Sequence, residues 1–215
     1  MRPPLAVYAA ALRRAADGAR APFDLVDPAG RPICRLDAAT WCHGLRPGDR
    51  TLLSRCTGAT LDVGCGPGRL AAALAARGLP ALGVDVSAEA VRQARRRGAR
   101  AVRRCVFGPV PAAGRWRHAL LADGNIGIGG DPVRLLRRCR QLVGGTGALL
   151  VEVEPPGVPA WCGAVALADG VEVSAPFRWA FVGADDLAVL AAEAALRVVE
   201  RWTEAGRWFA TLHAA

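Results

Sequence analysis

The 215-residue chain contains no lysine, so all 28 of its basic residues are arginine. Asparagine, tyrosine and methionine occur once each, as Asn125, Tyr8 and Met1, and isoleucine only three times. Beside abundant Ala, Gly and Pro, this is the composition of coding biased toward G and C. The net charge of +9 and the pI near 10.3 therefore trace to composition before they argue for a polyanionic partner, and nucleic acid is not expected as one. The seven cysteines include no C-x-x-C pair and no Cys/His spacing of a zinc site, so no metal is expected. They read as reduced, mostly buried thiols of a cytoplasmic protein. Long apolar runs are missing too. The longest uncharged stretch, Pro155 to Ala168, has 14 residues and three prolines, short of the roughly 18 needed to span a bilayer. The apolar run near the N-terminus is followed at once by Arg13 and Arg14, which reads as a helix and not as a signal peptide.

What is present is a globular composition, 52% hydrophobic and 22% charged, at a length that suits one domain. Residues 4–16 pattern as a helix with Leu5, Tyr8, Ala9 and Leu12 on one face, and 22–37 as a hairpin around Asp27-Pro28-Ala29-Gly30. Two short helices, 37–44 and 47–56, complete an N-terminal extension over 1–58. Strand and helix then alternate through a core over 59–154: strand 61–63, helix 68–77, strand 81–85, helix 88–97, strands 100–106 and 118–122, helix 132–143 and strand 148–154. The 132–143 helix is the clearest, with Asp131 as N-cap, Pro132 at the first position and Leu135, Leu136, Cys139, Leu142 and Val143 at helical spacing. Its arginines lie largely off that stripe, on what reads as a solvated face. Residues 155–180 break the alternation, and 181–215 hold a closing helix and an antiparallel hairpin around Glu204-Ala205-Gly206. The pattern predicts an α/β fold: a doubly wound, mostly parallel sheet with helices on both faces.

The most informative stretch is LDVGCGPGRL, residues 61–70, where a buried strand runs through a glycine-rich loop into a helix. Glycines at 64, 66 and 68 let the backbone turn sharply and approach a ligand, with amides at the helix start as donors. Nineteen residues after Gly66, Asp85 ends the next strand, where a carboxylate can accept from both hydroxyls of a ribose. A dinucleotide fingerprint counted from Gly64 would need glycine at position 69, which is Arg69; the chain spells D-x-G-x-G-x-G instead.

In Asp62-Val63-Gly64-Cys65-Gly66-Pro67-Gly68 and Asp85 the chain resembles the class I S-adenosylmethionine-dependent methyltransferases, over roughly residues 50–154 and again in the last hairpin. The resemblance implies a Rossmann-like seven-stranded sheet, S-adenosylmethionine as cofactor and methyl transfer as activity. It places Asp62 and the backbone of Gly64, Cys65, Gly66 and Gly68 at the amino-acid end of the cofactor, Asp85 at the ribose and Val86 against the adenine. Many members carry an acidic residue just after the third strand of the core, but here the chain reads AVRRCVFGPV. The Val106 and Phe107 backbone, or stacking by Phe107, would serve the base instead; core packing of Phe107 is the other reading.

Ligands of doubly wound sheets lie beyond the carboxyl ends of the strands, which puts the loop HALLADGNIGIGGDP beside the transferable methyl. Asp123, also counted at the cofactor, and Asn125 are the candidate catalytic groups, one to take a proton and one to orient the acceptor; Asn125 as a turn cap is the competing reading. The loop lacks the Asn/Asp-Pro-Pro-aromatic motif used by many enzymes that methylate nucleobase and amide nitrogens. Of three histidines, His118 and His213 read as structural, while His43 is a candidate to touch the acceptor. Residues 155–180, with Trp161 and Trp179, read either as a wall of the acceptor pocket or as a hairpin packing its aromatics on the core. The expected partner is a small organic acceptor. An RNA or other macromolecular substrate is the runner-up, and a cofactor-binding protein without catalysis the third reading. The acceptor atom and the oligomeric state are not written in the pattern.

Overall fold

Local signals fix most elements. The Asp131 carboxylate accepts from the Arg134 amide at 2.9 Å and Pro132 opens helix α6 (Pro132–Leu142), which buries Leu135, Leu136, Cys139 and Leu142. Ser87 caps helix α5 (Ala88–Arg96) through the Ala90 amide at 3.2 Å. Strand β3 (Thr60–Val63) is buried at every position, as a central strand covered on both faces must be. The computed structural model describes residues 1–170 and 172–215; Val171, inside the predicted 155–180 segment, lies outside the described residues.

A seven-stranded sheet forms the core, in the order β10 (Leu196–Glu204), β11 (Arg207–Ala214), β7 (Val143–Val153), β6 (Trp116–Leu121), β3, β4 (Ala81–Asp85) and β5 (Ala101–Arg103). From β5 to β7 the pairings are parallel, and β11 runs antiparallel to both its neighbours. Helices α4 (Arg69–Ala76), α5, α6 and α7 (Leu187–Glu193) connect the strands. The predicted doubly wound sheet is thus present. Two strands depart from their expected bounds. The edge strand β5 stops at Arg103, because the Arg104 amide turns onto the Asp85 carbonyl and the Gly108 amide closes a turn on Cys105. Strand β7 begins at Val143, directly where α6 ends, and not at 148.

The N-terminal extension and the 155–180 segment do not stay apart as two hairpins. Strands β1 (Pro22–Val26) and β2 (Pro32–Asp37) join β8 (Trp161–Ala168) and β9 (Phe177–Phe181) in one antiparallel sheet, ordered β2-β1-β8-β9. The join is β1 to β8, with Leu25 opposite Leu167 and Val26 opposite Ala166. Phe23, Leu25, Val165 and Leu167 are buried with Val7, Ala11 and Leu12 of helix α1 (Pro4–Ala16), and Ala90 of α5 belongs to the same cluster. This second layer holds α1 and the short helix α2 (Ala39–Cys42) over the glycine loop. Helix α3 (Asp49–Ser54) leads into β3.

Candidate functional site

Strand β3 delivers the glycine loop to the carboxyl edge of the sheet. Gly64, Gly66 and Gly68 all take left-handed φ values, +70°, +52° and +80°, where a Cβ is strained. Space is short as well: a Cβ at Gly64 would stand 2.8 Å from the Asn125 amide and one at Gly68 2.6 Å from the Ala94 Cβ, while one at Gly66 would press on the Tyr8 hydroxyl at 3.3 Å. The loop lines a cavity of about 60 Å³ together with Asp62, Arg69, Asp123 and Asn125, closed from the second layer by Tyr8 and Trp41. Tyr8 meets Trp41 edge-on at 6.1 Å, and Arg97 holds the Trp41 carbonyl at 3.1 Å.

The carboxylates of this cavity differ in what they hold. Asp62 is 2% exposed and, among the described residues, accepts only the Ala71 amide, at 3.2 Å. Burial pushes its pKa up to about 7, against the pull of Arg69 and with a further push from Asp123. Asp85 accepts one backbone amide on each oxygen, Gly66 at 3.0 Å and Ser87 at 2.7 Å. Burial raises its pKa, and those amides oppose the rise. Each oxygen keeps a lone pair, enough for a vicinal diol. Val86, next along, is 43% exposed and offers an apolar surface beside that carboxylate. Cys65 lines the cavity with its backbone, while its thiol is turned onto Gly83, whose Cβ would stand 2.5 Å from the sulfur. Burial raises that thiol far above its ordinary pKa, so it is inert at neutral pH.

A clasp that sequence reasoning missed lies on the other side. Asp49, with no exposed surface, is paired with Arg69 and Arg207, both at 2.7 Å. Asp123 is paired with Arg46 at 2.7 Å, Arg69 at 2.8 Å and Arg207 at 3.4 Å, and its own amide donates to Glu152 at 2.6 Å. Glu152 returns to Arg207 at 2.8 Å. Arg69, standing where a dinucleotide fingerprint would have glycine, is thus the centre of a buried ion network. The signal available in the sequence was a charged residue on the buried first turn after the loop.

The other expected site residues carry contacts of their own. Asp123 is not a free base: three guanidiniums hold its carboxylate, and burial raises its pKa against their pull. Asn125 donates to the carbonyls of Val63 and Gly64, both at 2.9 Å, so its amide fixes the glycine loop and cannot also donate to an acceptor. Val106 is buried in the core and its carbonyl takes the Arg138 guanidinium at 2.8 Å. Phe107 packs on that core with Arg134 stacked 4.4 Å over its ring. His43 is exposed at the end of α2 and is not among the residues that line the glycine-loop cavity. Trp161 lies tilted against Phe181 at 6.0 Å, and Trp179 meets Phe177 edge-on at 6.2 Å. Trp179 also covers Gly127, whose Cβ would collide with the Ala180 carbonyl. Both tryptophans thus make aromatic contacts within the β8–β9 pair, and Trp161 keeps 39% of its surface exposed. His118 is structural as expected: buried, it accepts the Thr57 amide at 3.1 Å, and burial lowers its pKa to about 4.

Among the described residues there is no metal-binding cluster of His, Cys, Asp and Glu, and no helix is long and apolar enough to cross a membrane. The profile of a methyltransferase-domain family matches residues 60–111, the strand, glycine loop and Asp85 of this site. An uncharacterized protein of Mycobacterium tuberculosis is 33% identical over 175 residues, which are 81% of this chain and 56% of that one. The chain thus spans about half the length of the curated relatives it matches. Among solved structures, a SAM-dependent methyltransferase from Bacteroides fragilis in complex with S-adenosylhomocysteine superposes with TM-score 0.79 at 21% identity, over 100% of this chain and 95% of that one. The 1,6-didemethyltoxoflavin-N1-methyltransferase of Burkholderia thailandensis superposes with TM-score 0.55 at 19% identity, covering 78% of this chain and 76% of its own. Strand order, glycine loop and terminal carboxylate agree with the methyltransferase-domain profile matched by residues 60–111, and the fold is the Rossmann-like fold of the class I S-adenosylmethionine-dependent methyltransferases.

Proposed function

We propose that the protein binds S-adenosylmethionine in the glycine-loop cavity and transfers its methyl group to a small organic acceptor. The observation that carries this reading is the pair of carboxylates with free lone pairs, Asp62 and Asp85, beside a loop that leaves no room for a Cβ at Gly64 or Gly68. The residues fit the group. Asp85 suits the ribose diol, Val86 the apolar face of a base, and buried Asp62 the ammonium of an amino acid. When bound, the cofactor supplies an electrophilic methyl on a sulfonium. The chain's part is to orient and to exclude water: Asn125 fixes the loop, Tyr8 and Trp41 close it, and the Arg69 clasp holds the β6 end rigid. Displacement at a sulfonium carbon is accelerated mainly by alignment, which can supply several kcal/mol, on the order of 7–11 at its limit.

A small acceptor is supported over a polyanion because the arginines nearest the cavity, Arg46, Arg69 and Arg207, are committed to Asp49, Asp123 and Glu152. The toxoflavin-precursor enzyme among the similar structures also acts on a small molecule. The test is a melting-temperature series. S-adenosylmethionine and S-adenosylhomocysteine raise the melting temperature and NAD does not; a rise with NAD alone overturns the reading. Labelled methyl transfer to a panel of small amines, alcohols and acids, against generic RNA, then separates acceptor classes.

A further inference from the structure

The amino-acid end of the cofactor proposed above is a zwitterion, so its cavity has to meet an anion as well as a cation. Carboxylates for the ammonium are at hand: Asp62 and Asp123 line the cavity, and Asp85 holds the Gly66 amide beside it. Side-chain donors for the carboxylate are scarce, because most are spent inside the protein. The Asn125 amide donates to the carbonyls of Val63 and Gly64. The Arg69 guanidinium is shared among Asp49, Asp123 and the Thr40 carbonyl. The Cys65 thiol faces the Gly66 carbonyl at 3.6 Å.

Tyr8 is different. It lines the cavity, and its hydroxyl stands over Gly66, 3.3 Å from where a Cβ would be. Among the described residues this hydroxyl makes no hydrogen bond, and it is not one of the sealed polar atoms of the interior. The helix that carries it is docked firmly: Val7, Ala11 and Leu12 are fully buried, and the Gln93 amide of α5 donates to the Leu12 carbonyl at 3.0 Å. Burial, and after it the charge of Asp85, raises the phenol well above its ordinary pKa, and Cys65, Cys42 and Asp123 add to the rise. Near neutral pH the group is therefore a neutral donor and not a base. A guanidinium in its place would be captured by the aspartates, as Arg69 is; a phenol stays available.

We infer that Tyr8 is a cofactor-binding residue, whose hydroxyl donates to the carboxylate of the bound amino-acid end while Asp62 takes the ammonium. The inference rests on the proposed binding of S-adenosylmethionine in this cavity. It gives the N-terminal extension a part in recognition as well as in closure. The sheet, through Asp85 and Val86, holds what all adenosine compounds share, and α1 reads the amino-acid carboxylate.

The test is a two-by-two comparison by titration calorimetry on the full chain. Wild type and Tyr8→Phe are each titrated with S-adenosylhomocysteine and with its decarboxylated counterpart, S-adenosyl-3-thiopropylamine, which keeps the adenosine and the ammonium and lacks the carboxylate. Tyr8→Phe weakens S-adenosylhomocysteine roughly ten- to a hundredfold, the loss of a charge-assisted hydrogen bond, and leaves the amine within about twofold. A merely structural role would move both ligands together. Tyr8 is the only tyrosine, so 3-fluorotyrosine enters the chain at this position alone. If Tyr8→Phe does not fold, the single fluorine resonance of that labelled protein decides: it shifts with S-adenosylhomocysteine and less than half as far with the amine. The inference is overturned by equal weakening of both ligands in Tyr8→Phe or by equal fluorine shifts. It is overturned too by S-adenosylhomocysteine affinity that survives Tyr8→Phe, which would leave the carboxylate to the Trp41 indole or to backbone amides at the start of α4. Failure of the wild type to bind either ligand would strike instead the proposed function on which the inference rests.

Discussion

The loops after β3 and β6 face each other across one cavity and contain the same materials, aspartate and glycine, but they do different work. Flanking the first, Asp62 on β3 and Asp85 at the end of β4 accept, among the described residues, only backbone amides and keep lone pairs for a ligand. In the second, the Asp123 carboxylate is clasped by three guanidiniums and the Asn125 amide by two carbonyls. Position at the carboxyl edge of the sheet is shared by both. What separates a binding loop from a holding loop is the partner each side chain already has.

The sharpest way to break this comparison is to remove the clasp. Arg69→Ala strips a fully buried Asp49 and a mostly buried Asp123 of one of the two cations they share, the other being Arg207. Removing one partner of a buried pair costs about 3–5 kcal/mol, so urea unfolding should show a midpoint shifted by that amount or no folded protein at all. A loss under about 1 kcal/mol would make the clasp ornamental. Next in size is Asn125→Ala, which frees the carbonyls of Val63 and Gly64. Leaving such groups unpaired costs about 1–3 kcal/mol, and because the loop they fix is the binding loop, S-adenosylhomocysteine affinity should fall along with stability. A tenfold loss of turnover with affinity and stability untouched would return Asn125 to the reacting centre.

The smallest effect sharpens the account of Asp62. A carboxyl whose folded pKa is raised to about 7 binds a proton that the unfolded chain releases near pH 3.8, so it removes stability as pH climbs through that window. His118, lowered to about 4, does the opposite: its stability is lost as pH falls from 6.5 toward 4. The two slopes oppose each other between pH 4 and 6.5. Above 6.5 the opposing His118 slope ends while that of Asp62 continues for about half a pH unit, which at about 1.4 kcal/mol per unit is at most roughly 0.7 kcal/mol from this group. Stability should dip by that much from pH 6.5 to 7.5, and Asp62→Asn should abolish the dip. It should also expose the rise due to His118 between pH 4 and 6.5. A dip that persists in Asp62→Asn places the titrating group elsewhere.

The glycine loop was legible in the sequence because its chemistry is local: a strand, three glycines, a helix and a carboxylate nineteen residues on all lie in one short stretch. Helix α6 was legible for the same reason, with its cap and its stripe adjacent. The state of Asp123 was not, because its partners come from 77, 54 and 84 residues away. Asn125 is likewise tied to carbonyls 62 and 61 residues distant. The β1–β8 pairing, which turns two local hairpins into one layer, leaves no mark within either hairpin, since both show the same alternation alone or joined. The single tyrosine of the chain was visible as part of the α1 face, but its place against Gly66 depends on that layer. Glu152 and Glu154 did carry a readable signal, two charges at alternate positions of an otherwise apolar strand.

The central claim, that the β3 loop with Asp85 is the binding loop, is tested most directly by calorimetric titration of S-adenosylhomocysteine into the wild type and into Asp85→Ala at one salt concentration. The account predicts one saturable site in the wild type. Two ribose hydrogen bonds to a charged group are worth about 2–4 kcal/mol, so the variant should bind roughly 30- to 1000-fold more weakly while melting as a folded protein. Equal affinity in a folded Asp85→Ala, or no binding by the wild type, would contradict it.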